Sequence, residues 1–350
     1  MAEKRLRAGW TTGACAAAAA KAAFTALHSR RFPDPVTIRL PRGHAPSFAL
    51  ARTEVADGKA TAGIVKDAGD DPDVTHGALI LATVEPGPPG SGIAFRAGPG
   101  VGTVTLPGLP LAVGEPAINP GPRAQIADNI ADAAAELGVA TDVVVTISIP
   151  DGEALAAKTM NARLGILGGL SVLGTTGVVV PYSCSAWVHS IQRSVDVATA
   201  LGICHLGAST GKTSEAVLRR ELHLPDQALI DMGDMAGALL KYLRAHPPRK
   251  LTLCGGFAKL AKLAAGEMDL HSKASGVDIA RLAESLPPGL RAEGRACVSA
   301  AQLLALGEAA GIGDAVARGA RETCLAVLAG GTEVTVIAVD RGGRVVGGAG

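Results

Sequence analysis

The architecture of this chain is set by a strand–turn–helix stretch, Leu251-Thr252-Leu253-Cys254-Gly255-Gly256-Phe257-Ala258-Lys259. It opens with a short apolar run typical of a buried strand, and two glycines then lead into a helical pattern. The same order recurs from about Asp142 onward. The strand candidates are residues 143–149, 178–180, 203–207, 228–231, 251–254 and 334–339. Short strands that alternate with helices predict a mainly parallel sheet flanked by helices.

The N-terminal part has a different pattern. A helix is predicted from about Thr12 to Leu27, because Thr12 can cap it and alanine favours helix. Strand-like pieces at 36–40, 78–84 and 93–95 are separated by glycine and proline, which predicts hairpins and loops. A second helix follows Pro122 and stops at Gly138. We therefore predict two domains, an α+β domain at residues 1–141 and an α/β domain at 142–350.

The composition argues against several classes of partner. With 33 basic and 32 acidic side chains the net charge is +1, so no global electrostatic footprint favours nucleic acid or an anionic membrane. Aromatic residues make up only 3%, too few for a base-stacking platform. Residues 164–192 carry no Asp, Glu, Lys or Arg, but their many glycines predict buried turns and strands rather than a membrane span. We expect a cytoplasmic protein.

A metal site built by the protein alone is not expected. The six cysteines include no C-x-x-C pair, and no two of the eight histidines have a metal-ligand spacing, so reduced thiols are the simplest interpretation. The 45 glycines indicate many close backbone approaches, of the kind that accommodate phosphates, nucleotides or large flat ligands.

Three glycine turns follow predicted strands, at residues 149–153, 207–213 and 254–259. In an open parallel sheet, ligands bind beyond the carboxyl ends of the strands, where such turns meet helix N-termini. The turn at 207–213 is similar to a phosphate loop, but Gly207 is one residue too close to Gly211-Lys212, and Leu206 occupies the required position. From these residues alone, a nucleotide-hydrolysing loop, a cofactor-contacting loop and a plain tight turn all stay open.

Four carboxylates cluster within seven residues, at Asp67, Asp70, Asp71 and Asp73. Such a cluster can bind a hard cation, act as a general base or cap turns, and Pro72 makes the loop rigid. The closing glutamate of a calcium loop is missing. The pattern by itself favours a structural role and leaves a catalytic one open.

Cations and amides are concentrated in three further segments, residues 116–123, 157–165 and 259–273. Each can be a solvated face, which is the usual place of a lone lysine or arginine. Together they can line a cleft for a polyanion, and because the chain is nearly neutral this would be a local patch.

Six motifs occur in a fixed order. They are R-A-G-W-T-T-G-A-C-A at 7–16, G-D-D-P-D-V-T at 69–75, a glycine loop at 100–109, E-P-A-I-N-P-G-P-R at 115–123, T-M-N-A-R-L-G-I-L-G-G-L-S-V-L-G-T-T-G at 159–177, and K-L-A-K-L-A-A-G followed by H-S-K at 259–273. In this order and spacing they resemble the cobalt-precorrin-5B C-1 methyltransferase family of anaerobic cobalamin biosynthesis, nearly from end to end. Members often carry a histidine in the turn before Lys259, where this chain has Gly256, so no catalytic role is carried over to that position.

The resemblance implies methyl transfer from S-adenosylmethionine, as co-substrate, to C-1 of cobalt-precorrin-5B, giving cobalt-precorrin-6A and S-adenosylhomocysteine. The partner it implies is a small-molecule corrinoid with acetate and propionate side chains, with no nucleic acid, membrane or protein-bound metal. A preference for cobalt-containing over metal-free substrate rests on the resemblance alone. The sequence leaves a monomer and a homo-oligomer both open. The alternatives are a nucleotide-hydrolysing enzyme and a non-catalytic tetrapyrrole carrier.

The family motifs, the cation-rich segments and the glycine turns together give three sets of candidate site residues. Asp70, Asp71 and Asp73 are candidate general bases, although they can instead hydrogen-bond the ribose of the methyl donor. Candidates for binding the corrinoid are Thr11, Thr12, Asn119, Arg123, Lys158, Asn161, Arg163, Lys259, His271 and Lys273. Candidates for binding the methyl donor are Gly168, Gly169, Thr175, Thr176, Gly211, Gly255 and Gly256.

Overall fold

The computed structural model describes residues 6–350, and the chain forms two compact units that divide between Ser183 and Cys184. This division differs from the predicted one at 141/142. The strand at 143–148 accounts for the difference, because it pairs with two strands of the N-terminal sheet and therefore belongs to the first unit.

Within residues 6–183, the N-terminal unit combines three helices with many short strands. Its helices are α1 (Thr12–Ser29), α2 (Pro120–Leu137) and α3 (Gly152–Ala156). Its strands are β1 (Gly9–Trp10), β2 (Val36–Thr37), β3 (Ser47–Phe48), β4 (Arg52–Ala56), β5 (Lys59–Val65), β6 (Leu79–Pro86), β7 (Ile93–Ala97), β8 (Gly100–Val101), β9 (Thr103–Val104), β10 (Val143–Ser148), β11 (Ile166–Leu167), β12 (Gly169–Leu170) and β13 (Val178–Val179). Five strands form one sheet in the order β4-β5-β6-β10-β7, antiparallel except for the β10–β7 pair, and the other strands form two-stranded pairs. This confirms the predicted α+β class.

Helix α1 is almost entirely buried. The alanines from Ala14 to Ala20 have no exposed surface, and the helix belongs to the same hydrophobic core as strands β5, β6 and β10 and helix α2. The predicted cap is one residue off: Thr12 is already helical, and the hydroxyl of Thr11 accepts the hydrogen bond from the amide of Ala14 at 3.1 Å. The small side chains allow sheet and helix to pack closely, which explains the alanine run without any functional role.

This packing predicts the effect of a larger side chain in α1. Ala19→Leu would force three extra carbon atoms into a filled core, so we expect the free energy of unfolding to fall by about 1–3 kcal/mol. The matched control is Ala131→Leu on the exposed face of α2, for which the change should stay within about 0.5 kcal/mol. Denaturant titration of both variants measures the difference, and equal stabilities would contradict the close packing.

The C-terminal unit is a helix-flanked sheet. Its helices are α4 (Cys184–Ala200), α5 (Lys212–Leu222), α6 (Ala236–Ala245), α7 (Phe257–Ala264), α8 (Ile279–Ala283), α9 (Pro288–Arg295), α10 (Ala300–Gly307) and α11 (Ile312–Leu328), with short 3-10 helices at Asp226–Ala228 and Glu308–Ala310. Its strands are β14 (His205–Ser209), β15 (Leu229–Asp231), β16 (Lys250–Gly256), β17 (Glu333–Val339) and β18 (Val345–Ala349). The order is β15-β14-β16-β17-β18, with only the β17–β18 pair antiparallel. The predicted mainly parallel sheet is confirmed.

The strand order of this sheet reverses direction once. From β14 the chain passes through α5 to β15 on one side, and it then returns to β16 on the other side of β14. The connections that leave β14 and β16 therefore diverge, which opens a crevice at the carboxyl ends of these two strands. Doubly wound sheets bind their ligands at this point.

Candidate active site: a cleft at the carboxyl ends of the parallel strands

A cleft of about 900 Å³ lies in the C-terminal unit at this crevice. It is lined by the turns after β14 and β16, by the segment after β17, and by residues from the loop before α8 and the start of α10. Its volume falls within the range of about 300–1,000 Å³ that is usual for small-molecule sites. Two of the three predicted glycine turns, 207–213 and 254–259, thus meet as expected. The third, at 149–153, follows β10 in the N-terminal unit, because β10 pairs with β6 and β7.

The two turns are tied together by hydrogen bonds through Thr210. Its amide donates to the carbonyl of Cys254 at 3.2 Å, and its hydroxyl accepts from the amide of Gly256 at 3.4 Å. The ammonium of Lys259 donates to the carbonyl of Thr210 at 2.7 Å and lies 3.0 Å from Oδ1 of Asp234. Lys259 therefore holds the turn after β14 against the first turn of α7.

Two of the predicted glycines are required by this geometry. Gly211 has φ 142° and ψ −178°, a conformation that is essentially restricted to glycine, and it precedes the first residue of α5. A Cβ on Gly255 would lie 2.9 Å from Cγ2 of Thr210, so the turns can approach only because that side chain is absent. Gly256 differs, since a Cβ there would meet nothing within 4 Å.

The cleft favours anions. The first residues of three helices, α5, α7 and α10, belong to its lining, and free amides at helix N-termini attract negative groups. In the described part of the chain, five cationic side chains and two carboxylates line the cleft, and both carboxylates pair with a single arginine, Arg344. Lys212 and Arg341 form no ion pair within residues 6–350.

The ion pairs with Arg344 keep both carboxylates charged. Hydrogen bonding from Arg344 lowers the pKa of Glu308, and Nη2 of Arg344 lies 3.1 Å from Oε2. The amide of Arg344 donates to Asp340, and this bond, with a second from the amide of Gly342, lowers the pKa of Asp340. These two carboxylates are therefore poor proton acceptors at neutral pH.

Of the residues predicted in this unit, Gly211, Gly256 and Lys259 line the cleft, and Gly255 packs against the lining residue Thr210. His271 and Lys273 are exposed on the loop that supplies Ser272 and Ser275, and Nδ1 of His271 accepts from the amide of Lys273 at 3.2 Å. Four lining cations are absent from the candidate site residues, namely Lys212, Lys262, Arg341 and Arg344. Lys262 lies in the cation-rich segment 259–273. Lys212 belongs to the turn already singled out. The position of the two arginines directly after β17 is the signal that would have identified them.

The acidic loop of the N-terminal unit is built from local contacts. Arg7 donates from Nη2 to Asp67 at 2.8 Å, and its amide donates to Asp70 at 2.7 Å. Hydrogen bonds from Arg7, then from the amide of Gly69, lower the pKa of Asp67 to about 2. Asp71 accepts from the amide of Tyr182 at 2.8 Å. These contacts join the loop to the chain on both sides of it.

Asp73 is held differently, by a buried lysine. The Lys66 side chain is 1% exposed, and its ammonium pairs with Asp73 and donates to Oγ1 of Thr75 at 2.8 Å. Burial alone would raise the pKa of Asp73, but the charge of Lys66 and hydrogen bonds from Lys66 and Thr75 bring it below its ordinary value. Asp73 thus neutralises a charge in the interior of this unit.

Four other predicted residues of this unit are engaged in its own structure. Thr11 caps α1, Thr12 is buried in the first turn of α1, and Asn119 is the N-cap residue of α2. The guanidinium of Arg123 donates to the carbonyls of Ile118 at 2.8 Å and Pro116 at 3.2 Å, pairs with Glu115 at 2.6 Å and lies over the ring of Phe95.

The remaining predicted residues lie between positions 158 and 176. Asn161 is buried and its amide donates to the carbonyl of Gly169 at 3.2 Å, while a Cβ on Gly169 would lie 2.2 Å from the carbonyl oxygen of Gly100. Thr176 donates to the carbonyl of Val178 at 3.2 Å. Arg163 is half-buried, and Lys158, Gly168 and Thr175 are exposed. Within the described residues, Lys158 forms no ion pair.

Within residues 6–350, no helix combines the length and the apolar character needed to cross a membrane. The same residues contain no group of three or more histidine, cysteine, aspartate or glutamate side chains arranged to hold a metal ion.

Known proteins resemble the chain over nearly its whole length. The protein named cobalt-precorrin-5B C(1)-methyltransferase from Halorhodospira halophila is 57% identical, with 99% of this chain and 95% of that protein covered. The protein of the same name from Paramagnetospirillum magneticum is 56% identical, with 99% and 98% covered. A crystal structure of the cobalamin biosynthesis protein CbiD from Archaeoglobus fulgidus is 30% identical, with 76% of this chain and 82% of that chain covered and a TM-score of 0.41. The CbiD family model matches residues 1–181, and this chain belongs to the CbiD family.

Proposed function

We propose that the protein transfers a methyl group from S-adenosylmethionine to C-1 of cobalt-precorrin-5B, giving cobalt-precorrin-6A and S-adenosylhomocysteine. Relatives more than half identical over nearly the full chain are named for this reaction. The corrinoid is the small-molecule partner, the methyl donor is a co-substrate, and we place the reaction in the cytoplasm. Neither nucleotide hydrolysis nor a carrier role finds support in those names.

We further propose that the methyl donor binds in the cleft of the C-terminal unit. The observation that carries this assignment is the meeting of the turns after β14 and β16 at the point where the strand order reverses. The lining fits a ligand of this kind, because it offers a glycine turn with open space at Gly256 and cations for a carboxylate.

The chain's own contribution to the reaction is binding and alignment. The bound donor supplies an electrophilic methyl group, and the corrinoid supplies its own carbon nucleophile. Holding two reactants in line can lower a barrier by about 7–11 kcal/mol in favourable cases. The Lys259 contacts with Thr210 and Asp234 fix the turns that would orient the donor.

The loss of a ring proton calls for a base, and the acidic loop supplied three candidates. We assign a structural role to Asp73, because its lowered pKa makes it a weaker base and its carboxylate is paired with the ammonium of Lys66. Asp70, which is exposed, and Asp71 stay as proposed bases.

A radiolabel assay tests the proposed function. Incubation of the purified protein with methyl-labelled S-adenosylmethionine and cobalt-precorrin-5B should move label into the corrinoid and release S-adenosylhomocysteine. Corrinoid binding without transferred label would contradict the proposal and favour a carrier. Hydrolysis of ATP that is lost in Lys212→Ala would favour the nucleotide-hydrolysing alternative.

A further inference from the structure

Among the residues that the structure describes, one buried cation of the cleft has no carboxylate partner. Lys262, on α7, is 7% exposed and belongs to the lining of the cleft. Its ammonium donates one hydrogen bond, to the carbonyl of Leu270 at 2.9 Å. Within residues 6–350, no carboxylate forms an ion pair with it.

A lysine in this state has unused binding capacity. An ammonium carries three N–H donors and a full charge, and burial of a charge is costly unless an opposite charge compensates it. The acidic side chains around the cleft are already engaged, since Asp234 lies against Lys259 while Glu308 and Asp340 are bound by Arg344. Within residues 6–350, no carboxylate pairs with Lys262, which makes a bound ligand the natural source of the compensating anion.

The surroundings of Lys262 support an anion from the cleft. Ser275 and the first residues of α10 belong to the same lining. The α10 helix begins after Ser299, whose hydroxyl accepts from the amide of Gln302 at 3.2 Å, and the amides at its start add positive potential.

We infer that Lys262 binds a carboxylate of the ligand that occupies the cleft. This inference rests on the proposed function, in which neither reactant is a phosphate and both carry carboxylates. The carboxylate belongs either to the methionine moiety of the methyl donor or to an acetate or propionate arm of the corrinoid. The chemistry at Lys262 is the same in both cases, a charge-assisted hydrogen bond from the ammonium.

Calorimetry with paired probes tests this role and separates the two sources. S-adenosylhomocysteine is compared with 5′-methylthioadenosine, in which a methyl group replaces the amino acid chain together with its carboxylate. Cobyrinic acid is compared with its heptamethyl ester, in which every carboxylate is masked. Each probe is titrated into the full-length wild type, Lys262→Met and Lys262→Gln. Glutamine can still donate to the carbonyl of Leu270 but has no charge, and Lys241→Met on the exposed face of α6 is the matched control.

We expect both Lys262 variants to lose about 10-fold or more in affinity for one carboxylate probe, because hydrogen bonds to charged groups have this strength. The affinity of the Lys262 variants for the paired probe that lacks the carboxylate should change less than about twofold. The affinity of Lys241→Met for each of the four probes should also change less than about twofold. A loss of affinity for S-adenosylhomocysteine would show that Lys262 binds the carboxylate of the methyl donor. A loss of affinity for cobyrinic acid would show that it binds a carboxylate of the corrinoid.

Equal affinities of wild type and both Lys262 variants for the two carboxylate probes would overturn the inference and leave the proposed function standing. A wild type that binds neither carboxylate probe would overturn both. Thermal melting shows whether each variant is folded. If Lys262→Met does not fold, the affinities of Lys262→Gln test the inference.

Discussion

Replacing Asp73 with asparagine is expected to lower the free energy of unfolding of the N-terminal unit by about 3–5 kcal/mol. The asparagine keeps an acceptor for Thr75, but it leaves the ammonium of Lys66 buried without a counter-charge. For a unit of this size the loss corresponds to a fall in Tm of roughly 6–20 °C. The two tryptophans allow each unit to be followed, because Trp10 lies in the first unit and Trp187 in the second. Fluorescence of Asp73→Asn in a Trp187→Phe background therefore reports the N-terminal unit.

Two controls separate this structural role from catalysis. Asp71→Asn, in the same loop, keeps an acceptor for the amide of Tyr182 and has no buried lysine to neutralise, so its stability should change by less than about 1 kcal/mol. The double variant Lys66→Met/Asp73→Asn removes the buried charge as well and should recover much of the stability. Stability of Asp73→Asn equal to that of wild type would contradict the assignment of Asp73 to structure.

The pH dependence has a definite sign. The pKa of Asp73 is lower in the folded state than its ordinary value of 3.8, so its contribution to stability is present above that value. The contribution is lost as the pH falls through the folded-state pKa. The difference between wild type and Asp73→Asn should therefore be full at neutral pH and shrink below about pH 4.

The second large effect is expected at Lys259. In Lys259→Met the turn after β14 loses its link to α7, and Asp234 loses the cation beside it. We expect kcat/KM for methyl transfer to fall about 100-fold, which corresponds to about 2.7 kcal/mol of transition-state stabilisation. Affinity for S-adenosylhomocysteine should fall as well, because the same turns are proposed to bind it.

Lys259→Met is compared with Lys259→Arg, which keeps a cation, and with Lys241→Met. The arginine variant should retain more activity than the methionine variant, and Lys241→Met should match wild type. Because Lys259 acts by positioning the two turns, kcat and KM are measured separately for each variant. The fluorescence of Trp187 shows whether the C-terminal unit of each variant is folded. Wild-type kcat/KM in a folded Lys259→Met would show that the link between the turns does not support the reaction.

Local patterns in the sequence predicted much of the cleft. The strand–turn–helix order at 251–259 and the glycine turn at 207–213 depend on neighbouring residues, so their places at strand ends follow from periodicity and turn chemistry. Because strands of a parallel sheet end on the same edge, the meeting of these turns could be expected as well.

Features that depend on contacts between distant parts of the chain could not be predicted from the sequence. The run at 143–148 is rich in β-branched residues, a pattern that fits a strand buried on both faces in either unit. Its pairing with β6 and β7 places it in the N-terminal unit. Nothing in the sequence around Lys66 indicates that its side chain is buried. The acidic loop was therefore recognised, but the Lys66 ammonium that Asp73 neutralises was not. Arg344 reaches Glu308 across 36 positions, and no pattern along the chain predicts such a contact.

Hydrogen–deuterium exchange on the wild type with and without saturating S-adenosylhomocysteine tests most directly whether the cleft binds the methyl donor. We expect slower exchange of backbone amides at residues 210–215 and 256–260, the two turns and the helix starts that follow them. Slower exchange confined to residues 6–183, with both turns unchanged at full occupancy of the protein, would contradict it.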